Sequence, residues 1–322
     1  MRFGVLNMSN NNRMSPFFPN HKHYHTLHSY YLRKFGERVW KASLDAGCTC
    51  PNRDGAVGIS GCIFCENGSR YFTGNGSVME QLAAEQLRIH KKWPKAKLIA
   101  YFQAGTNTYG SLPELVNTWE EVIRYPDVVG IAIATRADCL GNDVLKELER
   151  LNQSTYLTVE LGLQTVHDCT AERIGRGHDF ACFLRGFKAL QSMGIRVCVH
   201  LIDGLPGETF KMMIETAEQV GHLCPDGVKI HLLHVNRGTP LEALWEQGDY
   251  VPLEKTDYVE LVTEQLRYFP PETVIERLTG DGDRNVMLAP LWSRDKIAVL
   301  GAIDQRMVKK QIFQGDRFGI EN

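Results

Sequence analysis

Five β-branched, apolar runs begin at residues 98, 128, 156, 195 and 228, spaced 28 to 39 residues apart. That interval is close to the ~30 residues of a strand–helix–strand unit. The runs are Leu98–Gln103, Val128–Thr135, Tyr156–Gly162, Ile195–Ile202 and Val228–Val235, and a shorter one, Val39–Leu44, precedes them. They are short and bounded by turn residues, as strands buried on both faces of a parallel sheet are. Between them, Met79, Leu82, Ala83 and Leu87, and likewise Phe180, Phe183, Leu184, Phe187 and Leu190, recur at helical spacing. Six βα units predict an α/β fold, a partial (β/α)6 TIM-like barrel short of the eight strands that close one. A seventh strand is expected at Thr273–Leu278, with a helix from Arg294 to about Met307. No repeat or linker interrupts this pattern. The expected organisation is an N-terminal arm (1–38), a barrel with a C-terminal αβ extension (39–310) and a short tail (311–322).

Composition narrows the class. Among 322 residues, 43% are hydrophobic and 23% charged, an ordinary globular balance. Thirty-six Lys and Arg against 38 Asp and Glu exclude a globally basic nucleic-acid-coating protein. No run approaches the ~18 apolar residues of a membrane span, and the first thirty residues carry no secretory h-region. A cytoplasmic location follows as an expectation, and there nine cysteines do not read as a disulfide framework.

Four of the nine are concentrated between residues 48 and 65: Cys48, Cys50, Cys62 and Cys65, in AGCTCPNRDGAVGISGCIFC. The loop follows the first strand, so it belongs at the C-terminal mouth where βα barrels keep their chemistry. Its glycines (Gly55, Gly58, Gly61, Gly68) let a backbone wrap a bound group. Three thiolates spaced C-x11-C-x2-C can hold three irons of a 4Fe-4S cluster and leave the fourth open. A zinc knuckle is an alternative, although Cys48-Thr49-Cys50 is tight for a zinc pair. Inert thiols are a third. Cys139, Cys169, Cys182, Cys198 and Cys224 are scattered and read as small hydrophobes.

The cysteine loop closely resembles that of the YtqA/YhcC family of radical S-adenosylmethionine (SAM) proteins, relatives of the Elongator catalytic subunit. The likeness continues through HYHTLHSYYLRKFG, YFQAGTNTYGS, VELGLQT, IGRGHD, HLIDGLPGE, VKIHLLHVNRGTPL and RLTGDGDR. It implies a radical SAM partial barrel with a 4Fe-4S cluster on Cys50, Cys62 and Cys65. It also implies SAM held by Phe64, Thr106 or Asn107, Glu160, Gln164, Arg176 and His200. Cys48 departs from the pattern and competes as first ligand. GLPGE is read as scaffolding, with Glu208 in the first turn of the next helix. No residue is singled out as catalytic beyond the cofactors. An electron donor such as flavodoxin or ferredoxin is implied.

The arm interleaves His21, Lys22, His23, Tyr24, His25, His28, Tyr30, Tyr31, Arg33, Lys34, Arg38 and Lys41 with one acid, Glu37. That pattern suits RNA phosphates and stacked bases, or equally a helix packing its aromatic face on the barrel. The tail adds Arg306, Lys309, Lys310 and Arg317. Arg277, Asp281 and Arg284 in RLTGDGDR are candidates for holding a substrate carboxylate or phosphate. The family likeness implies tRNA as partner, with a wobble uridine's 5-carboxymethylaminomethyl group converted to 5-aminomethyl. A small-molecule substrate and a non-catalytic zinc-knuckle RNA-binding protein are the competing readings.

Overall fold

A computed structural model describes residues 15–19, 22–65 and 70–320. Seven parallel strands form one sheet: β1 (Val39–Leu44), β2 (Lys97–Phe102), β3 (Val128–Arg136), β4 (Tyr156–Gln164), β5 (Arg196–Asp203), β6 (Gly227–Leu232) and β8 (Val274–Arg277), in that spatial order. The expected seventh strand is therefore present. The sheet curls, because Lys41 of β1, Glu160 of β4, Lys229 of β6 and Glu276 of β8 meet on its concave side. It does not close: β1 pairs only with β2, and β8 only with β6. This is an open half-barrel.

The run expected to be one strand to Val235 is divided. After Leu232 the chain bends, Leu233 donates to the Asp203 carbonyl at 2.9 Å, and β7 (Val235–Asn236) pairs antiparallel with β9 (Met287–Ala289). That ribbon builds a rim over the β6 end of the barrel.

Helices α2 (Val78–Lys92), α3 (Leu112–Ile123), α4 (Asn142–Ser154), α6 (Phe180–Ser192), α7 (Phe210–His222) and α9 (Lys255–Gln265) follow their strands and face the sheet's convex side. Their apolar stripes bury Leu82, Trp119, Leu148, Phe183 and Val220 against Leu98, Phe102, Ile131, Val159 and Ile230, all 1% exposed or less. Each large side chain so buried contributes about 1.5–3 kcal/mol. Starts are fixed locally: Ser77 and Glu80 form a reciprocal capping box on α2, and Asp179 accepts from Cys182 N–H on α6. Thr209 caps α7, so Glu208 lies before the helix rather than in its first turn; its carboxylate accepts from the Thr165 hydroxyl at 2.5 Å. Two short helices, α5 (Asp168–Arg173) and α8 (Pro240–Glu246), lie in loops, and α10 (Lys296–Lys310) packs on α9. α10 begins two residues later than expected because Leu291–Arg294 forms a 3-10 turn.

The arm is part of this body. α1 (Leu27–Phe35) spans the gap between β1 and β8, and Thr26 makes a parallel bridge to Ile275. Tyr24, His25 and Tyr31 are buried, and Lys41 reaches into the barrel, so these residues do not form an RNA-facing stripe. His21 and Gly68 fall outside the described residues. At the other end Arg306 and Arg317 pair with Glu260 and Glu264.

Candidate functional site

Strand alternation puts apolar side chains outward and an unusual charged set inward. Glu160 has no exposure; it accepts from Lys41 at 2.5 Å, from Lys229, and from His200 at 2.7 Å. Lys229 also donates to Tyr101 Oη at 3.1 Å, and Lys41 to Glu276 at 2.5 Å. Burial pushes the Glu160 carboxyl up, but Lys229, Lys41 and His200 together outweigh it and hold it well below the usual carboxylate range. Burial brings Lys229 down to about 8, against the pull of Glu160. This ionic floor sits under a cavity of about 360 Å³ at the C-terminal ends of the strands.

The loop from Cys48 to Cys65 forms one wall of that cavity. It is folded on itself: Pro51's carbonyl accepts from Val57 at 2.7 Å and Gly58 at 3.1 Å, and Gly61 donates to Asn52 at 2.7 Å. It is anchored to the segment after α5 by Ile63 N–H to Ile174 (3.0 Å) and by Asn52, whose Nδ2 donates to Gly175 at 2.5 Å and Arg176 at 3.2 Å. Gly105 is required here: its φ is +74°, and a Cβ on it would lie 2.2 Å from the Cys48 carbonyl oxygen.

Cys48, Cys50, Cys62 and Cys65 all line the cavity. Cys62 lies close enough to Cys65 and Cys50 to feel their charge, whereas Cys48 answers to Asp45 and Arg70. Burial pushes the Cys48 and Cys62 thiols up to about 11. Donors nonetheless face the sulfurs: Asn52 Nδ2 is 3.7 Å from Cys62 Sγ, and Arg53 Nη1 is 3.6 Å from Cys65 Sγ and 3.0 Å from its carbonyl. Arg136 adds a cation beside Cys62. Three thiols, N–H donors to their sulfurs and nearby cations fit an anionic iron–sulfur cluster. Among the described residues no three His, Cys, Asp or Glu side chains converge on a single-ion site.

Of the other residues singled out in the sequence, Phe64, Thr106, Glu160, Gln164, Arg176, His200, Arg277 and Asp281 line the same cavity. Gln164 ends β4 with φ +65°, and Gly162 leaves room for its amide, which lies 2.9 Å from where a Cβ would stand. Arg176 is 1% exposed, not a surface ion pair. Its Nη1 donates to the Leu163 (2.6 Å) and Thr165 (2.7 Å) carbonyls and its Nε to His178 (2.8 Å). Nη2 makes no hydrogen bond, with Asp168 at 3.5 Å. Asn107 does not line the cavity; its amide donates to the Phe102 and Ala134 carbonyls at 3.0 Å and ties β2 to β3. Arg284 is exposed and away from it, while Asp281 pairs with Lys296 at 2.8 Å. The Arg277 guanidinium makes no hydrogen bond or ion pair among the described residues. Sequence reading missed Asn52, Arg53 and Arg136. The first two had a signal, standing directly after Cys50-Pro51; Arg136 at the end of β3 had none.

An open parallel half-barrel with three thiols and an oriented arginine at its C-terminal mouth is the frame of a radical SAM protein. The Radical SAM superfamily profile matches residues 49–220, and the Radical_SAM C-terminal domain profile residues 225–309. The chain belongs to the YtqA/YhcC-like family of radical SAM enzymes. It is 48% identical over 311 residues to YtqA of Bacillus subtilis, covering 95% of this chain and 96% of that protein. It is 36% identical over 292 residues to YhcC of Escherichia coli, covering 89% and 93%. A tRNA uridine(34) acetyltransferase of Dehalococcoides mccartyi is 30% identical over 156 residues, 48% of this chain and 33% of that protein. Among solved structures, the archaeal Methanocaldococcus infernus Elp3 superposes with a TM-score of 0.63 at 18% identity, over 86% of this chain and 64% of that one. Members of the superfamily bind a 4Fe-4S cluster and SAM. No described helix is long and apolar enough to cross a membrane.

Proposed function

We propose that this enzyme modifies the wobble uridine of tRNA, converting a 5-carboxymethylaminomethyl group to 5-aminomethyl, the carboxymethyl unit leaving as glyoxylate by a two-electron oxidation with SAM as oxidant and water as the source of the new oxygen. The observation that carries the tRNA reading is the similarity, over about half of this chain, to a tRNA uridine(34) acetyltransferase. The substituent's carboxylate suits Arg277, a cation without a partner among the described residues at the edge of the cavity.

In this reading Cys50, Cys62 and Cys65 hold the cluster, and Cys48 supports the loop through its carbonyl, which accepts from Arg70 at 2.6 Å. When bound, cluster and SAM supply a one-electron cleavage that delivers a 5′-deoxyadenosyl radical to abstract a hydrogen atom. Arg176, Gln164 and Thr106 orient the amino-acid end of SAM, with Phe64, Glu160 and His200 shaping the rest of its pocket. Asn52 and Arg53 donate to the sulfurs of Cys62 and Cys65 and would orient them toward the cluster. Asn107 and Arg284 are not carried into the ligand set. A low-potential donor such as flavodoxin or ferredoxin and a cytoplasmic setting complete the proposal.

The test is anaerobic cluster reconstitution followed by reductant, SAM and tRNA bearing the carboxymethylaminomethyl group. The expected result is 5′-deoxyadenosine and aminomethyluridine with wild type and Cys48→Ala, and neither with Cys62→Ala. SAM cleavage that leaves the tRNA nucleosides unchanged would replace tRNA by a small molecule. Retained activity in Cys62→Ala with loss in Cys48→Ala would reassign the ligands.

A further inference from the structure

Beside the cofactor cavity lies a second one of about 430 Å³, continuous with it through shared walls that include Phe64, Cys65, Arg70, Gln164, His200 and His231. Its outer wall carries His231 at the end of β6, His234 in the link and Asn236 on β7. His231 Nε2, His234 Nε2 and Asn236 Oδ1 are shielded from solvent, and none has a hydrogen-bond partner. Buried polar atoms without partners are uncommon in folded proteins and costly. Three on one cavity wall are best explained by a ligand that supplies the missing bonds.

The RLTGDGDR motif holds this wall in place. A Cβ at Gly280 would stand 3.4 Å from His234 Cε1 and 3.6 Å from His231 Nδ1, and one at Gly282 would stand 3.1 Å from His234 Nδ1. Gly282 lets the loop press against His234 and Met287, where a Cβ would stand 2.4 Å from the Met287 sulfur, while Gly280 makes ordinary contact with both rings. Burial drives both imidazoles toward the neutral form, His234 down to about 4 and His231 well below its ordinary value. Asp281 and Asp283 line the same cavity. Arg70 lines it too but is paired with Asp45 at 2.5 Å, so neutral rings, a neutral amide and two carboxylates leave no unpaired cation there to draw an anion.

What such a wall can pair with is a neutral group presenting donor and acceptor side by side, because an amide and a neutral imidazole each offer both. We propose that His231, His234 and Asn236 form a subsite for the hydrogen-bonding edge of an uncharged, uracil-type base, held next to the cofactor cavity. This rests on the tRNA reading above and adds where the base sits.

The experiment measures fluorescence anisotropy of the full chain with a short anticodon stem-loop RNA carrying uridine at the wobble position, and with the same RNA abasic there. Wild type is expected to bind the abasic RNA about tenfold more weakly, the loss of one or two hydrogen bonds. Asn236→Leu and His234→Phe are expected to bind both RNAs alike. Their Tm should equal or exceed wild type, since each replaces an unpartnered polar group by an apolar one. Retained discrimination in both variants overturns the subsite. So does a lowered Tm in both, which would mean that these atoms have partners within the free protein. Wild type that binds both RNAs equally and salt-dependently removes the subsite but leaves the tRNA reading. Wild type that binds neither removes both.

Discussion

Glu160→Gln isolates the ionic floor of the barrel. The substitution keeps shape and removes the charge that Lys41, Lys229 and His200 share. Lys41 retains Glu276 at 2.5 Å, but Lys229 is left with only the Tyr101 hydroxyl at 3.1 Å. Stranding a buried charge costs about 3–5 kcal/mol. At ~2–3 °C per kcal/mol for a chain of this size, Tm should fall by about 6–15 °C. Thermal denaturation followed by circular dichroism at pH 7 reads this directly. Adding Lys229→Met removes the stranded cation, so the double variant should be more stable than Glu160→Gln alone. The pH dependence has a definite sign. A carboxyl whose folded pKa is depressed contributes stability present above the unfolded value, about 4.3, and lost as pH falls through the folded one. The gap between wild type and Glu160→Gln should therefore narrow in acid below about pH 4.3. A Tm within about 2 °C of wild type at pH 7, or a double variant no better than the single, would refute the reasoning.

Two further outcomes are expected. Arg176→Lys replaces a fork serving the Leu163, Thr165 and His178 carbonyls by a single point charge. It should cost about 2–4 kcal/mol and raise the Kd for SAM about tenfold in equilibrium dialysis of the cluster-loaded protein; unchanged affinity removes Arg176 from the SAM pocket. Asp203 is buried against Gln265 at 2.7 Å, and burial pushes its carboxyl up to about 8. The unfolded chain sheds that proton near pH 3.9, so this group's contribution falls as pH rises from about 4 to about 8, by at most about 1.4 kcal/mol per pH unit. Asp203→Asn abolishes that slope, and its Tm advantage should widen between pH 5 and 8; a variant less stable than wild type at pH 8 contradicts this.

The strands were legible because each is a run of β-branched residues with a fixed interval to the next, a pattern that burial on both faces imposes. The cysteine loop was legible because its chemistry is local. The split at Leu233 was not: Val228–Val235 contains no Gly, Pro or other turn residue, and only a partner fifty residues later, β9, decides where the strand ends. The arm misled as a pattern. Tyr24, His25 and Tyr31 look like stacking residues in one dimension, yet all three are buried, with His25 hydrogen-bonded to Gln314 and the Glu272 carbonyl. Glu160 was singled out only through the family resemblance. That Lys41, Lys229 and Glu276 join it follows from sheet curvature, which no spacing encodes.

The strap across the open seam has a kinetic consequence. His23 bonds Ile312 and His25 bonds Gln314, contacts that join positions 289 residues apart. During synthesis the arm emerges long before those partners exist. Tyr31 can pack early on Val39, Ile99, Tyr101 and Tyr156, but His23 and His25 must wait for Ile312 and Gln314. Contacts of such separation come late and slow folding. The half-barrel can therefore grow from β1 onward with α1 held on one side only, and the seam closes when β8 and the segment after α10 arrive.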